Sequence, residues 1–389
     1  MKRVFHNFGM PALRAKRIFV AVIVVICFVM VFAARYHHGY DAMKILADLA
    51  GFDLGPAQSR PRFSRQDISF QVHGRHQAAD LYVPEGGAHA GLVLVPGAAA
   101  DGRNDPRLVE FASTLTRAGF VVLVPGMPSL GQLQPSPGNT QEIGDAFSFL
   151  HAKKELVPSR WLGISAFSSA SGPAVLAALD PAINRQVKFL LLIGGYHDLV
   201  RTLTYLTTGY FEVDGQLQYR EPNTYGKWVY ALGNARRLQN LSDRLALSEM
   251  ARRKLESPAA PVDDLRAQLS TAGEAVYQFV TNADPVKAPE LINGLPLALR
   301  EDIAALDLAA HDLSGLKAKL ILIHGRDDDI IPYTESISLA AALPHGQAHL
   351  YLLDGLHHVD RDFRGLDIWR AWLAMRNLLT RDGVGQLLE

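Results

Sequence analysis

The chain has 389 residues, 48% of them hydrophobic, and its 39 lysines and arginines balance 39 aspartates and glutamates. This length and hydrophobic content suffice for a large globular core. A net charge of zero gives no electrostatic basis for binding nucleic acid, so we expect a neutral or apolar small molecule as the ligand. The single cysteine, Cys27, excludes an internal disulfide and a cysteine-based metal site.

The N-terminal segment has the composition of a membrane span. Residues 18–34 form an uninterrupted apolar run of 17 residues, at the short end of what crosses ~30 Å of hydrocarbon as a helix. Only Arg35 follows the run closely, whereas several basic residues precede it: Lys2, Arg3, Arg14, Lys16 and Arg17. By the positive-inside rule this asymmetry predicts a cytoplasmic N-terminus and an exported main part, on the periplasmic side of the inner membrane in a bacterium.

A cleaved signal peptide is the main alternative, since residues 31–33 resemble a small-residue cleavage site. A signal core usually has about 7–15 apolar residues, fewer than this run, so we favour an uncleaved single-pass anchor. Residues 1–35 are therefore assigned to a basic stretch and a transmembrane anchor. Residues 36–65, which glycines and prolines interrupt, are assigned to a linker.

From residue 66 onward, short β-rich runs alternate with longer amphipathic stretches, which is typical of a mostly parallel sheet covered by helices. The predicted strands are residues 68–72, 78–83, 92–95, 120–124, 160–167, 187–193, 319–323 and 348–353. The predicted helices around them are residues 107–118, 141–153, 171–179, 334–342 and 363–379. The first two strands are expected to form a hairpin.

The alternation stops between residues 197 and 316. Helical periodicity is found at residues 225–239, 241–255, 262–279 and 297–309, with no convincing buried strand. Because a structureless loop of that length is improbable inside a compact domain, we predict a helical insertion. The predicted domains are an α/β core, residues 66–198 and 318–389, and the insertion, residues 199–317.

Three serines lie at the end of the strand predicted at residues 160–167. A serine hydroxyl is a poor nucleophile unless a positioned base removes its proton. Nucleophilic serines in α/β folds lie at a sharp strand-to-helix turn that requires small flanking residues, as in Gly-x-Ser-x-Gly. Centring this pattern on Ser168 places Ala166 and Ala170 at the tight positions. The sequence therefore favours Ser168 as the nucleophile.

Two other serines are alternatives. Centring on Ser169 places Phe167 and Ser171 at the tight positions, where a phenylalanine fits poorly. Centring on Ser165 uses Gly163 but shortens the strand and again places Phe167 at a tight position. A serine-rich turn that only caps a helix is the remaining interpretation.

An acidic loop follows the strand at residues 319–323. Asp328 stands three residues after Gly325, and a carboxylate on this loop can fix the tautomer of a catalytic histidine. We therefore predict Asp328 as the acid, and we expect Asp327 and Asp329 to be solvated or to cap the turn.

Two adjacent histidines follow the last predicted strand. His358 stands three residues after Gly355, the usual place of the base in this arrangement. Neighbouring side chains of an extended stretch point to opposite sides, so only one of the two can face the serine. We predict His358 as the base and expect His357 to pack or to face solvent.

A loop of small residues, residues 97–102, follows the strand at residues 92–95. Its backbone N–H groups, foremost that of Ala98, would join the N–H of Ser169 to bind the oxyanion of a tetrahedral intermediate. A simple glycine and alanine turn is the alternative.

In the chain order serine, acid, histidine, these motifs resemble the α/β-hydrolase superfamily, in particular its bacterial esterase, lipase and dienelactone-hydrolase-like branches. The resemblance covers roughly residues 66–196 and 318–389, and the insertion corresponds to the cap these enzymes carry after the sixth strand. It implies a mostly parallel eight-stranded sheet flanked by helices, a triad of Ser168, His358 and Asp328, and no metal or organic cofactor. The alanines in place of the elbow glycines depart from the superfamily pattern.

The expected function is hydrolysis of a small-molecule carboxylic ester, with an apolar or lipid-derived group bound under the cap. The expected partners are that substrate and the membrane, through residues 18–34, and no nucleic acid. One alternative is a catalytically silent fold that binds or scaffolds at the membrane. The other is a different reaction on the same triad, such as acyl transfer or amide hydrolysis.

Overall fold

A computed structural model of the chain describes residues 37–50, 61–357, 360–361 and 366–380. Among these residues, no helix combines the length and apolar character needed to cross a bilayer. The apolar run predicted to be a membrane anchor, residues 18–34, lies outside the described residues.

The segment predicted to be a linker contains a helix, α1 (His37–Leu49). Ala42 and Ile45 of this helix are buried in the apolar core on one side of the main sheet, where the helix packs on the helices Pro106–Arg117 and Leu366–Leu379. Apolar residues recur here at helical spacing, Ala42, Ile45, Leu46 and Leu49, which gives the helix an apolar face. The first strand also begins before residue 66, at Phe63. Residues 37–49 and 63–65 therefore belong to a helix and a strand, in contrast to the linker expected from the glycines and prolines of this segment.

The strands, in chain order, are β1 (Phe63–Val72), β2 (Arg75–Pro84), β3 (Ala90–Val95), β4 (Phe120–Pro125), β5 (Leu162–Phe167), β6 (Val187–Ile193), β7 (Tyr210–Val213), β8 (Gln216–Tyr219), β9 (Lys319–Gly325), β10 (Ala348–Leu353), β11 (Leu356–His357) and β12 (Asp360–Arg361). Eight of them form the main sheet, in the order β1-β2-β4-β3-β5-β6-β9-β10. β2 runs antiparallel to β1 and β4. The six remaining strands of the sheet are parallel to one another: β4, β3, β5, β6, β9 and β10. The mostly parallel eight-stranded sheet predicted from the sequence is confirmed.

The burial of the central strands explains why the sequence identified them. All six residues of β3 and all six of β4 are buried. Parallel strands covered on both faces are near-continuous apolar runs, since neither face meets water. The first two strands form the expected hairpin, and its two turn residues, His73 and Gly74, both have positive φ, as a tight two-residue turn requires.

Helices cover both faces of the sheet. The remaining helices, in chain order, are α2 (Pro106–Arg117), α3 (Pro128–Gly131), α4 (Gly138–Ala152), α5 (Ser171–Leu179), α6 (Leu199–Thr208), α7 (Thr224–Ala235), α8 (Leu241–Glu256), α9 (Asp263–Arg266), α10 (Thr271–Thr281), α11 (Ala288–Asn293), α12 (Leu297–Leu306), α13 (Thr334–Ala341) and α14 (Leu366–Leu379). One apolar core joins the sheet to α4, α5 and α13. A second core, on the opposite face, joins it to α1, α2 and α14.

The helices from α6 to α12, together with the β7–β8 hairpin, lie between β6 and β9 and form the insertion. A third apolar core is built from these helices, with Leu247, Met250 and Phe279 among its most buried members. The helix predicted at residues 262–279 is two helices in the structure, α9 and α10. The break occurs because Ser270 caps α10 and donates its own N–H to buried Asp243, at 2.7 Å.

Candidate active site

Ser168 occupies the turn between β5 and α5. Its φ is +52°, a left-handed conformation that costs a residue with a side chain about 1–2 kcal/mol. A 3-10 turn, Ser168–Ala170, follows directly and leads into α5. A strained serine between a parallel strand and a helix is the geometry of a nucleophile elbow.

The structure distinguishes Ser168 from the two alternative serines. Ser165 lies within β5 and is fully buried. The hydroxyl oxygens of both Ser165 and Ser169 are buried and have no hydrogen-bond partner among the described residues. Ser168 is partly exposed, and among the three serines it alone has a positive φ. Ser168 therefore combines the sharp turn with solvent access.

Alanines occupy the two tight positions of the turn. Ala166 and Ala170 are both fully buried, so their methyl groups are accommodated within the core. The close approach that requires a glycine occurs four residues after Ser168, at Gly172, where a side-chain carbon would overlap the Tyr196 hydroxyl. The missing elbow glycines are thus compatible with the turn itself.

The loop after β3 lies against this elbow. A methyl group placed on Gly97 would be 3.7 Å from Ser168 Cβ and 3.5 Å from the Phe167 carbonyl oxygen. Ala98 is the next residue, so its backbone N–H belongs to the loop that contacts the serine. Ser169 is in the first turn of its helical segment, where backbone N–H groups have no intrahelical acceptor. Both predicted oxyanion donors therefore belong to segments that border Ser168.

Asp328 is fully buried in the loop after β9. Its Oδ1 accepts hydrogen bonds from the backbone N–H groups of Ile330 and Ile331, both at 2.9 Å. Asp327 is exposed, and Asp329 accepts a hydrogen bond from Asn223 at 2.8 Å. Of the three consecutive aspartates, Asp328 is the one whose carboxylate is held inside the protein.

A buried histidine that the sequence analysis gave no role supports the acidic loop. His324, the residue before Gly325, has Nε2 3.4 Å from Asp328 Oδ2 and 3.0 Å from the Ile331 carbonyl oxygen. Because a carbonyl can only accept, Nε2 carries the proton, and Nδ1 accepts from the Ser336 hydroxyl at 2.7 Å. We assign this tautomer from the hydrogen bonds. His324 is fully buried, and its contacts make it a support for the loop.

His358, the predicted base, lies outside the described residues, as does the side chain of His357. The backbones of Leu356 and His357 pair with those of Arg361 and Asp360 in a short antiparallel ladder. The acidic loop contacts this ladder, because a side-chain carbon on Gly325 would overlap the Leu356 carbonyl oxygen. The start of the acidic loop therefore lies against Leu356, which stands two residues before His358 in the chain.

Three side chains of the insertion hold the acidic loop from outside. The Tyr205 hydroxyl donates to the Asp328 carbonyl oxygen at 2.8 Å. Arg220 Nη1 donates to the carbonyl oxygens of Asp328 and Arg326, both at 2.9 Å, and Asn223 makes the bond to Asp329 described above. Burial raises the pKa of Tyr205 to about 12, so its hydroxyl remains a donor at physiological pH. Since these contacts join residues more than 100 positions apart, no local sequence signal predicts them.

The described residues contain no cluster of three or more histidine, cysteine or acidic side chains that could hold a metal ion. Two open surface grooves, of about 710 and 750 Å³, lie on the insertion. The first is lined mainly by residues of α8, with α7 and α9 beside it, the second mainly by residues of α10 and α11, and neither includes Ser168. These grooves are therefore separate from the candidate active site.

The chain resembles known proteins in its fold and not in its sequence. No protein-family model matches the sequence. No curated protein matches it significantly. Among solved structures, the chain is similar to a mutant of the rice cell wall degrading esterase LipA from Xanthomonas oryzae, with a TM-score of 0.50 and 13% identity over 80% of this chain and 86% of that one.

Weaker likenesses were found to two other hydrolases. One is a 2,6-dihydroxy-pseudo-oxynicotine hydrolase, with a TM-score of 0.45 and 13% identity over 85% of this chain and 72% of that one. The other is an acylaminoacyl peptidase from Pyrococcus horikoshii, with a TM-score of 0.45 and 11% identity over 85% of this chain and 43% of that one. At sequence identities this low, structural similarity is evidence for the fold alone. The strand order and the esterase likeness show that the described residues adopt the α/β-hydrolase fold.

Proposed function

We propose that this protein is a serine hydrolase of carboxylic esters in which Ser168 is the nucleophile, His358 the general base and Asp328 the orienting acid. The observation that carries the proposal is the left-handed φ of Ser168 at the turn from β5 into α5. Strain of this kind persists where the surrounding structure enforces it, and it is concentrated at functional sites.

In the proposed reaction, His358 takes the proton of the Ser168 hydroxyl as the serine oxygen attacks the ester carbonyl. The backbone N–H groups of Ala98 and Ser169 bind the resulting oxyanion, a role in which one donor is worth about 3–4 kcal/mol. His358 then protonates the departing alcohol. Water, deprotonated by His358, hydrolyses the acyl-enzyme and restores the serine.

An apolar acyl or alcohol group is the substrate chemistry that fits the surroundings of Ser168. Phe167, the preceding residue, is partly exposed and packs edge-to-face on Phe111, with ring centroids 5.6 Å apart. The part of the loop after β3 that begins at the elbow, residues 97–100, is one glycine and three alanines, and the charged residue that follows it, Asp101, is exposed to solvent. These neighbours provide no fixed charge for a polar substrate, which supports a neutral ester.

The membrane location is part of this proposal. Residues 18–34 would anchor the chain, residues 1–17 would stay in the cytoplasm, and the hydrolase fold would lie on the exported side. The basis is the apolar run and the basic residues that precede it. A lipid-derived ester is the substrate that this location favours.

The test is ester hydrolysis by the full-length protein with p-nitrophenyl acyl esters of increasing chain length. We expect Ser168→Ala to lower kcat by roughly 10⁴- to 10⁶-fold and Asp328→Asn by roughly 10⁴-fold. In the Asp328→Asn variant the side-chain amide oxygen would still accept the two backbone hydrogen bonds, so the loop is preserved.

Two matched variants serve as controls. Ser169→Ala keeps the backbone N–H of residue 169, and Asp327→Asn changes an exposed neighbour of the acid. Both should retain kcat within a few-fold. Full activity of Ser168→Ala would reject the proposal, and so would equal losses in Asp327→Asn and Asp328→Asn.

A further inference from the structure

Five large apolar side chains are exposed on two neighbouring helices. They belong to the first two turns of α1 and the first turn of α14, and we call them the apolar face. Its members are Tyr40 (60% exposed), Met43 (47%), Leu366 (67%), Ile368 (53%) and Trp369 (54%). Single exposed apolar residues are ordinary, whereas a group of this size marks an interaction surface.

Direct contacts join the two halves of the apolar face. The Trp372 indole N–H of α14 donates to the carbonyl oxygen of Gly39 in α1, at 2.8 Å. Trp369 stacks on Trp372, with ring centroids 4.6 Å apart. Because Gly39 directly precedes Tyr40, this bond brings Trp369 and Tyr40 to the same part of the surface. The two groups of exposed residues therefore lie on helices that are in direct contact, and we treat them together as the apolar face.

The apolar face lies at the same edge of the sheet as the candidate nucleophile. The Asp367 carboxylate, in the first turn of α14, accepts hydrogen bonds from the N–H groups of Asp354 and Gly355, at 2.8 and 2.9 Å. These two residues directly follow β10, so the start of α14 is fixed to the carboxyl end of that strand. β10 is parallel to β5 through β9 and β6, and Ser168 follows the carboxyl end of β5.

Among the described residues, two cations beside the apolar face are paired within the protein. Lys44 contacts Asp41 at 2.6 Å, and Arg370 contacts Asp354 at 3.1 Å. A surface with paired charges at its rim does not select an anionic partner. Its apolar residues, with a tryptophan and a tyrosine among them, match the interfacial region of a bilayer, where these two aromatic residues are enriched.

The sequence that precedes α1 indicates which partner lies nearby. Only Arg35 and Tyr36 separate the apolar run, residues 18–34, from His37 at the start of α1. Three Cα–Cα steps span at most about 11 Å. If residues 18–34 cross a bilayer, the start of α1 therefore lies within that distance of its surface.

We propose that the apolar face rests in the interfacial region of the phospholipid bilayer that residues 18–34 span. The edge of the sheet that carries Ser168 then faces the lipid surface, and acyl esters held in the bilayer reach the site without passing through bulk water. This proposal rests on the membrane location given above. It does not depend on which serine is the nucleophile.

Tryptophan fluorescence of the full-length protein in phosphatidylcholine vesicles tests this contact. The chain has four tryptophans, Trp161, Trp228, Trp369 and Trp372, and none lies in the apolar run. Bromine atoms on the lipid acyl chains quench tryptophans at the interface. We expect brominated lipid to quench the wild type, and Trp369→Phe to lose at least half of that quenching.

The matched control is Trp161→Phe. Trp161 directly precedes β5, at the edge of the sheet opposite to the apolar face, so this variant should retain the quenching. Replacing half of the phosphatidylcholine with phosphatidylglycerol should leave the quenching unchanged, because Lys44 and Arg370, the described cations at the rim, are already paired. Equal quenching in the wild type and Trp369→Phe would overturn the proposal.

Two further measurements separate this proposal from the proposed function. Extraction with alkaline carbonate shows whether the chain is an integral membrane protein; its release would overturn both the anchor and the lipid contact. An anchored chain with unquenched Trp369 would overturn the contact alone, and crosslinking between two copies at Met43→Cys would then identify a second chain as the occupant.

Ester turnover by surface variants tests the lipid contact independently of fluorescence. Ile368→Ser should lower turnover of a vesicle-borne ester at least five-fold and leave a soluble short-chain ester unaffected. Leu245→Ser, which alters another exposed apolar residue, on α8, should change neither rate. Equal loss on both substrates in Ile368→Ser would contradict a role in lipid contact.

Discussion

The α-carbon of Gly325 packs directly against the carbonyl oxygen of Leu356, so closely that a side-chain carbon at position 325 would overlap that oxygen. Gly325 begins the loop that carries Asp328, and Leu356 begins the short ladder that leads to His358. A hydrogen bond from the Arg326 N–H to the carbonyl oxygen of Leu353, the last residue of β10, at 2.7 Å, holds the same loop to the strand that precedes the ladder. The predicted acid and base are therefore attached to segments that touch.

Gly325→Ala is expected to separate these segments. The new methyl group would meet backbone, which cannot rotate away as a side chain can, and overpacking of this kind costs about 1–3 kcal/mol. We expect a lower free energy of unfolding and a loss of esterase activity at temperatures where the variant is still folded. Urea unfolding and kinetics at about 20 °C, near the usual temperature of maximum stability, would measure the two effects.

Gly86→Ala is the matched control, because a methyl group there would have no atom within 4 Å. This variant should keep both stability and activity. A fully stable and active Gly325→Ala protein would show that the contact with Leu356 does not position the acidic loop.

Ser168→Gly should make the protein more stable and inactive. Glycine adopts a left-handed φ without steric cost, so the substitution removes strain of roughly 1 kcal/mol. Ser168→Ala lacks the hydroxyl as well but retains the strain, which makes it the appropriate reference for unfolding measurements. Ser169→Gly, at a residue without positive φ, should instead destabilise the protein. A Ser168→Gly protein less stable than Ser168→Ala would argue against a strained elbow.

Arg220→Lys should lower kcat roughly 10- to 100-fold with a small effect on KM. Arg220 Nη1 donates to two carbonyl oxygens of the acidic loop, and Nη2 lies 3.4 Å from Asp327 Oδ1. The single ammonium nitrogen of a lysine cannot occupy both nitrogen positions. A displacement of about 1 Å in a catalytic group is enough for a 10²-fold loss. Arg252→Lys, which changes an exposed ion pair with Glu249 on α8, is the control. Unchanged kcat in Arg220→Lys would show that the insertion does not position Asp328.

Glu142→Gln should stabilise the protein at pH 7 more than at pH 4. Burial raises the pKa of the Glu142 carboxyl above its usual value. The stability contributed by its protonated form is complete below the unfolded pKa and is lost as the pH rises through the higher, folded pKa. Glutamine does not titrate, and it can still accept the Asn139 hydrogen bond, which is 2.8 Å long.

Thermal unfolding at both pH values would measure this difference. Glu301→Gln, at an exposed position of α12, should give the same change at pH 4 and pH 7. An equal shift for Glu142→Gln at the two pH values would contradict the inferred cost of burying its charge.

The sheet could be predicted from the sequence because its central strands are buried on both faces and stand out as apolar runs. The β7–β8 hairpin was missed because its strands are largely exposed and show no apolar alternation. Its turn, Asp214-Gly215, does carry a signal, since both residues have positive φ and an Asp-Gly pair favours a two-residue hairpin turn. Helix α1 was missed because glycines and prolines nearby outweighed its apolar spacing.

At the candidate site, Ser168 could be chosen from the small residues around it, and the structure adds the positive φ that the sequence could only imply. The contacts of Tyr205, Arg220 and Asn223 with the acidic loop could not be predicted. They depend on how the insertion packs on the sheet, and residues that far apart in the chain carry no periodic pattern that relates them.

Labelling with a fluorophosphonate tests the central claim most directly, because the probe reacts only with a serine activated by a base and an oxyanion site. We predict stoichiometric labelling of the full-length protein, mapped by peptide mass spectrometry to Ser168. The label should be absent from Ser168→Ala and retained by Ser169→Ala. Modification of Ser165 or Ser169, or no modification of the folded protein, would contradict the assignment of Ser168 as a catalytic nucleophile.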